Sequence, residues 1–155
     1  MYLDATALTC PLGLSTAAAC SAKRAGIAAL EDLGFKDDTG EPIVGATVPG
    51  LDAAGGRTGR LVQMLAKTVA AVVAARPDET WAKVPLLVGL AEEGRPGGGG
   101  ALAESMIGRV QAAVNVRFHP EYSAALPVGH TAALEALTAA RQLFRERRAA
   151  ACLVC

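Results

Sequence analysis

A histidine stands in this chain where a strand-turn-helix enzyme would hold its nucleophile. Ala124-Ala-Leu126 is a short apolar run, Pro127-Val-Gly-His130 is turn-forming, and from Thr131 apolar positions recur at helical spacing. The pattern predicts an extended segment, a tight turn at Gly129-His130 and a long helix. An imidazole at such a turn has three chemical uses: nucleophile, general base, or ligand contact at a helix N-terminus. The alternative is a turn residue hydrogen-bonded to nearby backbone, with no chemistry. No acid, base or metal partner stands beside His130 in the sequence, which favours the non-catalytic alternative. The positive end of a helix also disfavours imidazolium, so a neutral ring is expected.

The other chemistry-bearing residues are four cysteines and a second histidine. Cys152-Leu-Val-Cys155 has the formal spacing of a redox or zinc half-site. On a strand, residues three apart point to opposite faces, so the two thiols diverge if this run is extended. No second cysteine pair or nearby histidine completes a zinc set, and buried reduced thiols are the expectation. Cys10 and Cys20 stand in no His or Lys pattern that would mark a reactive thiol, so packing is their expected role as well.

Helices and strands must position these groups. Ser15 is a good N-cap for a helix over Thr16 to Ala25, which Gly26 can end in a left-handed conformation. Ile27 to Leu33 is expected to add a short turn of helix. Lys36-Asp-Asp-Thr-Gly-Glu41 reads as a polar turn leading to an extended Ile43-Val44. Leu61, Met64, Leu65, Val69, Val72 and Val73 recur at helical spacing between Arg57 and Ala75, and Pro77 ends that helix.

Val84 to Leu90 is an apolar run of the kind found in strands buried on both faces. Glu92 to Gly100 reads as a mobile loop, without the Lys-Ser/Thr ending of a phosphate-binding loop. Ala101 to Val114 is a further helix, and Val116–Phe118 and Ser123–Leu126 are short extended stretches. Thr131 to Arg148 is the last helix, with Leu134, Leu137, Ala140 and Phe144 on one apolar face and Arg145, Arg147 and Arg148 placed where cations favour the helix dipole. That cluster can be a docking patch for an acidic carrier protein or a solvated helix end; the second is preferred. Ala149 to Val154 closes the chain as a buried strand. Helices alternating with short apolar runs indicate an α/β sheet covered on its faces, in one domain over residues 1–155.

Fifteen acidic and fifteen basic residues balance to a net charge of zero, with neither sign in a long block. Composition therefore gives no electrostatic case for nucleic acid or for an anionic membrane. No run approaches the roughly 18 consecutive apolar residues of a spanning helix. The N-terminus lacks a basic segment followed by an apolar one, so a cytoplasmic protein is the expectation.

Two segments carry a resemblance. Thr6-Ala-Leu-Thr-Cys-Pro-Leu-Gly-Leu-Ser15, followed by a small-residue helix ending Arg24-Ala-Gly-Ile27, resembles the opening of β-ketoacyl synthases, with Cys10 inserted between Thr9 and Pro11. There a first strand leads through a Thr-Pro-x-Gly turn into a helix. Val128-Gly-His-Thr-Ala-Ala-Leu134, then Ala139-Ala-Arg-Gln-Leu-Phe-Arg145 and Ala149-Ala-Ala-Cys-Leu-Val154, is similar to the family's nucleophile turn, buried helix and following strand.

The resemblance covers nearly the whole chain and reaches the end of the family's N-terminal half. It implies a thiolase-like fold, one βαβαβαββ half of a layered α/β architecture that is commonly dimeric. It places the family's nucleophilic cysteine on His130. That cysteine holds an acyl chain as a thioester during condensation with a malonyl unit; an acyl-imidazole is labile, so His130 is a poor substitute. The family's other catalytic residues belong to its second half, and His119 lies outside its motifs. The resemblance thus implies a synthase-like protein of fatty-acid or polyketide metabolism without condensing activity of its own, needing no cofactor. It also admits a pseudoenzyme subunit like a chain-length factor. Acyl carrier protein, a homodimer, or a heterodimer with an active synthase are the partners implied.

Overall fold

The computed structural model describes residues 2–52, 55–95 and 100–155. In chain order these form α1 (Thr16–Arg24), β1 (Glu31–Lys36), β2 (Pro42–Gly45), α2 (Gly56–Ala75), β3 (Leu86–Gly89), α3 (Gly100–Val114), β4 (Ala124–Leu126), α4 (Ala132–Arg145) and β5 (Leu153–Val154). Single 3₁₀ turns at Trp81–Lys83 and Gly129–Thr131 lead into β3 and α4. The chain is a mixed α/β protein, as its alternation of helices and apolar runs predicts.

The core is a parallel sheet in the order β4-β3-β5. Leu87 pairs with Ala124 on one side and with Val154 on the other, so β3 is fully bracketed. Alternation along β3 divides its side chains between two layers. Leu86 and Val88 pack with Val69 of α2, Met106 and Val110 of α3, and Phe118. Leu87 points the other way, against Ala136 and Ala140 of α4. The sheet is therefore sandwiched, with α2 and α3 on one face and α4 on the other. This explains why β3 reads as a continuous apolar run rather than an alternating one.

The crossover β3-α3-β4 steps one way across the sheet, and β4-α4-β5 steps back over β3. Helices on opposite faces let both crossovers keep the same hand. The connections thus leave the adjacent carboxyl ends of β3 and β4 toward opposite faces of the sheet.

Several local expectations hold. Ser15 caps α1, its hydroxyl accepting from the Ala18 amide at 3.2 Å, and Gly26 follows with φ of 70°. Asp37 organises the polar turn before β2, its carboxylate accepting from the Thr39 and Glu41 amides and the Thr39 hydroxyl. These bonds hold the Asp37 carboxyl below its ordinary range, the Thr39 hydroxyl contributing most.

Other expectations are corrected. Ile27 to Leu33 makes no helix: its last residues enter β1, which pairs antiparallel with β2 through Glu31 opposite Gly45 and Asp32 opposite Val44. Gly34, at φ of 72°, breaks any helical continuation, and its amide is taken by the Asp32 carboxylate at 2.8 Å. The family-like strand before α1 is not formed by residues 2–9. That segment is tied down at Asp4, which forms an ion pair with Arg76 at the end of α2, and at Thr9, whose hydroxyl lies 2.9 Å from that of Thr68. The next residues close a tight turn, Cys10 and Gly13 exchanging backbone hydrogen bonds at 3.0 Å. Val116–Phe118 is irregular, and of the buried strand expected over Ala149 to Val154 only Leu153–Val154 is extended, and it is half-buried. The packed face of α4 is Ala132, Ala136 and Ala140, while Leu134 and Leu137 are exposed, because the small alanines let the helix lie close on the sheet. The last helix stops at Arg145 rather than Arg148, because Arg147 takes a left-handed φ of 57°. Of the loop read over Glu92 to Gly100, residues 96–99 lie outside the described residues.

The chain's accessible surface is 9841 Å². A compact monomer of 15.8 kDa would expose roughly 7,300 Å² by the size scaling of folded proteins. Exposed apolar side chains include Tyr2 and Leu3 at the N-terminal segment and Ile27, Leu30, Phe35 and Val44 on the β1–β2 hairpin and its approach. The helix α2 reaches the length and mean hydropathy of a membrane-crossing segment, at 20 residues and 1.2. Its Ala66, Val69 and Val72 are buried, and the rest of the helix is exposed or half-buried.

Candidate functional site

Ligand sites in open α/β sheets form outside the carboxyl ends of the strands, where the chain direction reverses. Here that position is occupied by the turn Val128-Gly-His-Thr131. The Leu90 amide donates to the Leu126 carbonyl at 2.9 Å, and the Gly129 amide returns to the Leu90 carbonyl at 2.9 Å. The ends of β3 and β4 are thereby laced together directly beneath His130. The Thr131 hydroxyl donates to the Val128 carbonyl at 3.1 Å and closes the turn.

Two glycines make this geometry possible. Gly129 has φ of 70°, and a Cβ built there would come within 2.4 Å of the Glu92 Oε2 atom. Gly89 lets the first turn of α4 press onto the sheet: its Cβ would lie 2.9 Å from that of Ala132. Ala132 is accordingly buried.

The close approach at Gly129 also identifies a residue the sequence did not single out. Glu92 stands only two residues past Leu90, and the turn brings its carboxylate against the start of α4. No side chain caps that helix start, so a negative charge there is favoured by the helix dipole. The signal available in the sequence was the placement of an acidic residue just after a buried strand, which becomes meaningful only once β3 and β4 are known to be neighbours.

His130 is exposed and, among the described residues, its imidazole makes no hydrogen bond. It is thus neither oriented by an acid nor fastened to backbone, as the turn-residue expectation supposed. His119 contrasts with it. Its Nδ1 accepts from the Glu121 and Tyr122 amides, both at 3.3 Å, and its ring stacks on Tyr122 with centroids 4.4 Å apart. Those bonds leave the proton on Nε2 when the ring is neutral and make His119 the organiser of its own loop. The loop in turn delivers Ser123, whose hydroxyl accepts from the Leu86 amide at 2.9 Å at the entry to β3.

Cys152 and Cys155 diverge as a strand demands. Cys152 packs on the α4 side of the sheet and Cys155 on the α2 and α3 side. Burial pushes each thiol up to about 11, so both are neutral and poor nucleophiles at ordinary pH. Cys10 lies half-buried in its turn, whereas Cys20, expected to pack, is exposed on α1. Among the described residues no group of three His, Cys, Asp or Glu side chains is placed to hold a metal ion.

The basic cluster at the end of α4 is partly engaged. Arg148 pairs with Glu146 at 2.9 Å and lies over the Tyr122 ring, its guanidinium carbon 5.7 Å from the centroid. The turn at His130 presents an exposed imidazole and the Glu92 carboxylate at the carboxyl ends of β3 and β4. Compared with known protein-family models, curated proteins and solved structures, the chain matches none.

Proposed function

We propose that this chain is a β-ketoacyl-synthase-like half of the thiolase type whose nucleophile turn has lost its nucleophile, and that it handles no condensation by itself. The observation that supports this most is the position of Gly129-His130: a left-handed glycine followed by an exposed side chain at a helix start, set at the carboxyl ends of two adjacent parallel strands. A thiol in that place would carry an acyl group; an imidazole would release it to water. The family's remaining catalytic residues belong to a half that this sequence does not span.

The test separates the turn from the residue on it. Intact-mass spectra after incubation with an acyl-CoA should show no lasting adduct on the wild-type chain and one added acyl group on His130→Cys. Neither protein should condense acyl and malonyl units. A His130→Cys protein that takes up no acyl group removes the assignment of the turn, and a condensing wild type removes the inactive reading.

A second reading, the pseudoenzyme subunit, draws on α4. Its inner residues Ala132, Ala136 and Ala140 are buried, whereas Leu134 and Leu137 on other faces are 67% and 44% exposed. Such a helix fits a protein whose second layer comes from elsewhere, such as a synthase subunit or a second copy in the cytoplasm. Acyl carrier protein would be the shared substrate carrier of that assembly. Co-purification with a cysteine-bearing synthase supports this reading, and a monomer that captures no such subunit counts against it.

A further inference from the structure

At the far end of α4 from His130, a cleft of about 580 Å³ opens between the end of α2, the last turn of α4 and the irregular segment that leads from Ala149 into β5. Its size lies within the roughly 300–1,000 Å³ of small-molecule sites. Trp81, Phe144 and Leu153 supply apolar wall, and Trp81 is held edge-on against Phe118 with ring centroids 5.8 Å apart. The N-terminal segment forms the opposite side, fastened there by the Asp4–Arg76 ion pair.

Charge in the cleft is unevenly used. Arg76 is neutralised by Asp4, and the Glu79 carboxylate accepts from the Thr80 amide at 3.1 Å. Arg141 and Arg145 also line the cleft, and among the described residues neither has a hydrogen bond or ion pair. They are four residues apart on a helix, so their guanidinium groups rise from the same face. Two unengaged guanidinium forks beside an apolar wall suit a planar or tetrahedral oxyanion attached to a hydrocarbon body.

We infer that this cleft binds a small amphiphilic anion, its carboxylate or phosphate head on Arg141 and Arg145 and its apolar body against Trp81 and Phe144. The site is distinct from the turn at His130 and does not depend on what that turn does. Cys152 also lines the cleft, but its thiol, pushed up to about 11 by burial, stays protonated, so the site binds and does no covalent chemistry.

Trp81 is the chain's one tryptophan, which makes its emission a direct reporter of the cleft. The purified chain would be titrated with octanoate and with octyl phosphate, and in parallel with octanol and with inorganic phosphate. At least one amphiphile should give a saturable change with Kd of about 1 mM or tighter, while octanol and inorganic phosphate give none below about 10 mM. The stronger of the two anions assigns the head group as carboxylate or phosphate. Arg141→Gln/Arg145→Gln should weaken binding about tenfold or more at an unchanged urea midpoint, and added salt should weaken it in the wild type. No saturable change with either amphiphile overturns the inference. So does equal binding by the double variant, or octanol binding as tightly as the anions.

Discussion

The part of the chain from Gly56 onward and the part before it follow different physics. Among the described residues, the buried apolar side chains outside the first part include Val69, Leu86, Val88, Met106, Val110 and Phe118 on the α2 and α3 side of the sheet and Leu87, Ala136 and Ala140 on the α4 side; the first part adds only Ala19. The β1–β2 hairpin instead leaves Phe35 68% exposed and Val44 60% exposed. A two-stranded hairpin without a covering layer is marginal in water. The difference teaches that the stability of this protein resides in the sheet sandwich, and that the first part is carried by it through a few polar ties such as Asp4–Arg76 and Thr9–Thr68.

The largest effect should come from the centre of the sandwich. Leu86 is fully buried between α2 and α3, and Leu86→Ala should cost about 2–5 kcal/mol, read as a drop in the urea midpoint at unchanged slope. A loss no greater than that of an exposed hairpin variant would erase the contrast between the two regions. Gly89→Val should follow. Its side chain would collide with Ala132, whose backbone carbonyl carbon lies 3.3 Å from the new Cβ, so α4 must withdraw at a cost of about 1–3 kcal/mol. A neutral Gly89→Val would mean that α4 is not seated on β3 as described.

Alkali should weaken the same sandwich through β5. The Cys152 and Cys155 thiols are raised from 9.0 to about 11 in the folded chain. Above pH 9 the unfolded chain gives up these protons first and so binds fewer of them, which makes stability fall as pH rises. The contribution is fully present below pH 9 and is lost as pH climbs towards about 11. Urea midpoints at stepped pH should show this slope, and Cys152→Ala/Cys155→Ala should flatten it. Equal slopes in both proteins would assign the alkaline loss to other groups.

The sequence made the sandwich legible and the first part much less so, for one reason. Burial from both faces writes itself into β3 as an unbroken apolar run, and one-sided burial writes helical spacing into α2. The left-handed turn at Gly129 announces itself through its glycine. Pairing between distant segments leaves no such mark: Ile27 to Leu33 has a local composition compatible with helix, and only Pro42–Gly45 lying alongside makes its end a strand. Glu92 at the His130 turn and the Arg141–Arg145 cleft were hidden in the same way, because each depends on chain segments brought together by the crossovers. The strand expected before α1 failed because residues 2–9 find side-chain ties instead of a sheet edge.

The smallest effect belongs to the hairpin, and it is the sharpest test of the comparison. Phe35 sits on an exposed strand whose turn is already secured by Asp37, so Phe35→Ser removes almost no burial. The urea midpoint should move by less than about 0.5 kcal/mol equivalent. Amide exchange should tell the same story locally, with β1 and β2 opening far more readily than β3. A loss above about 1.5 kcal/mol that grows with protein concentration would show that the apolar side of the hairpin is covered in solution by another copy of the chain. In that case the exposed surface of the first part is an interface, and the two regions differ in what covers them rather than in how well they are packed.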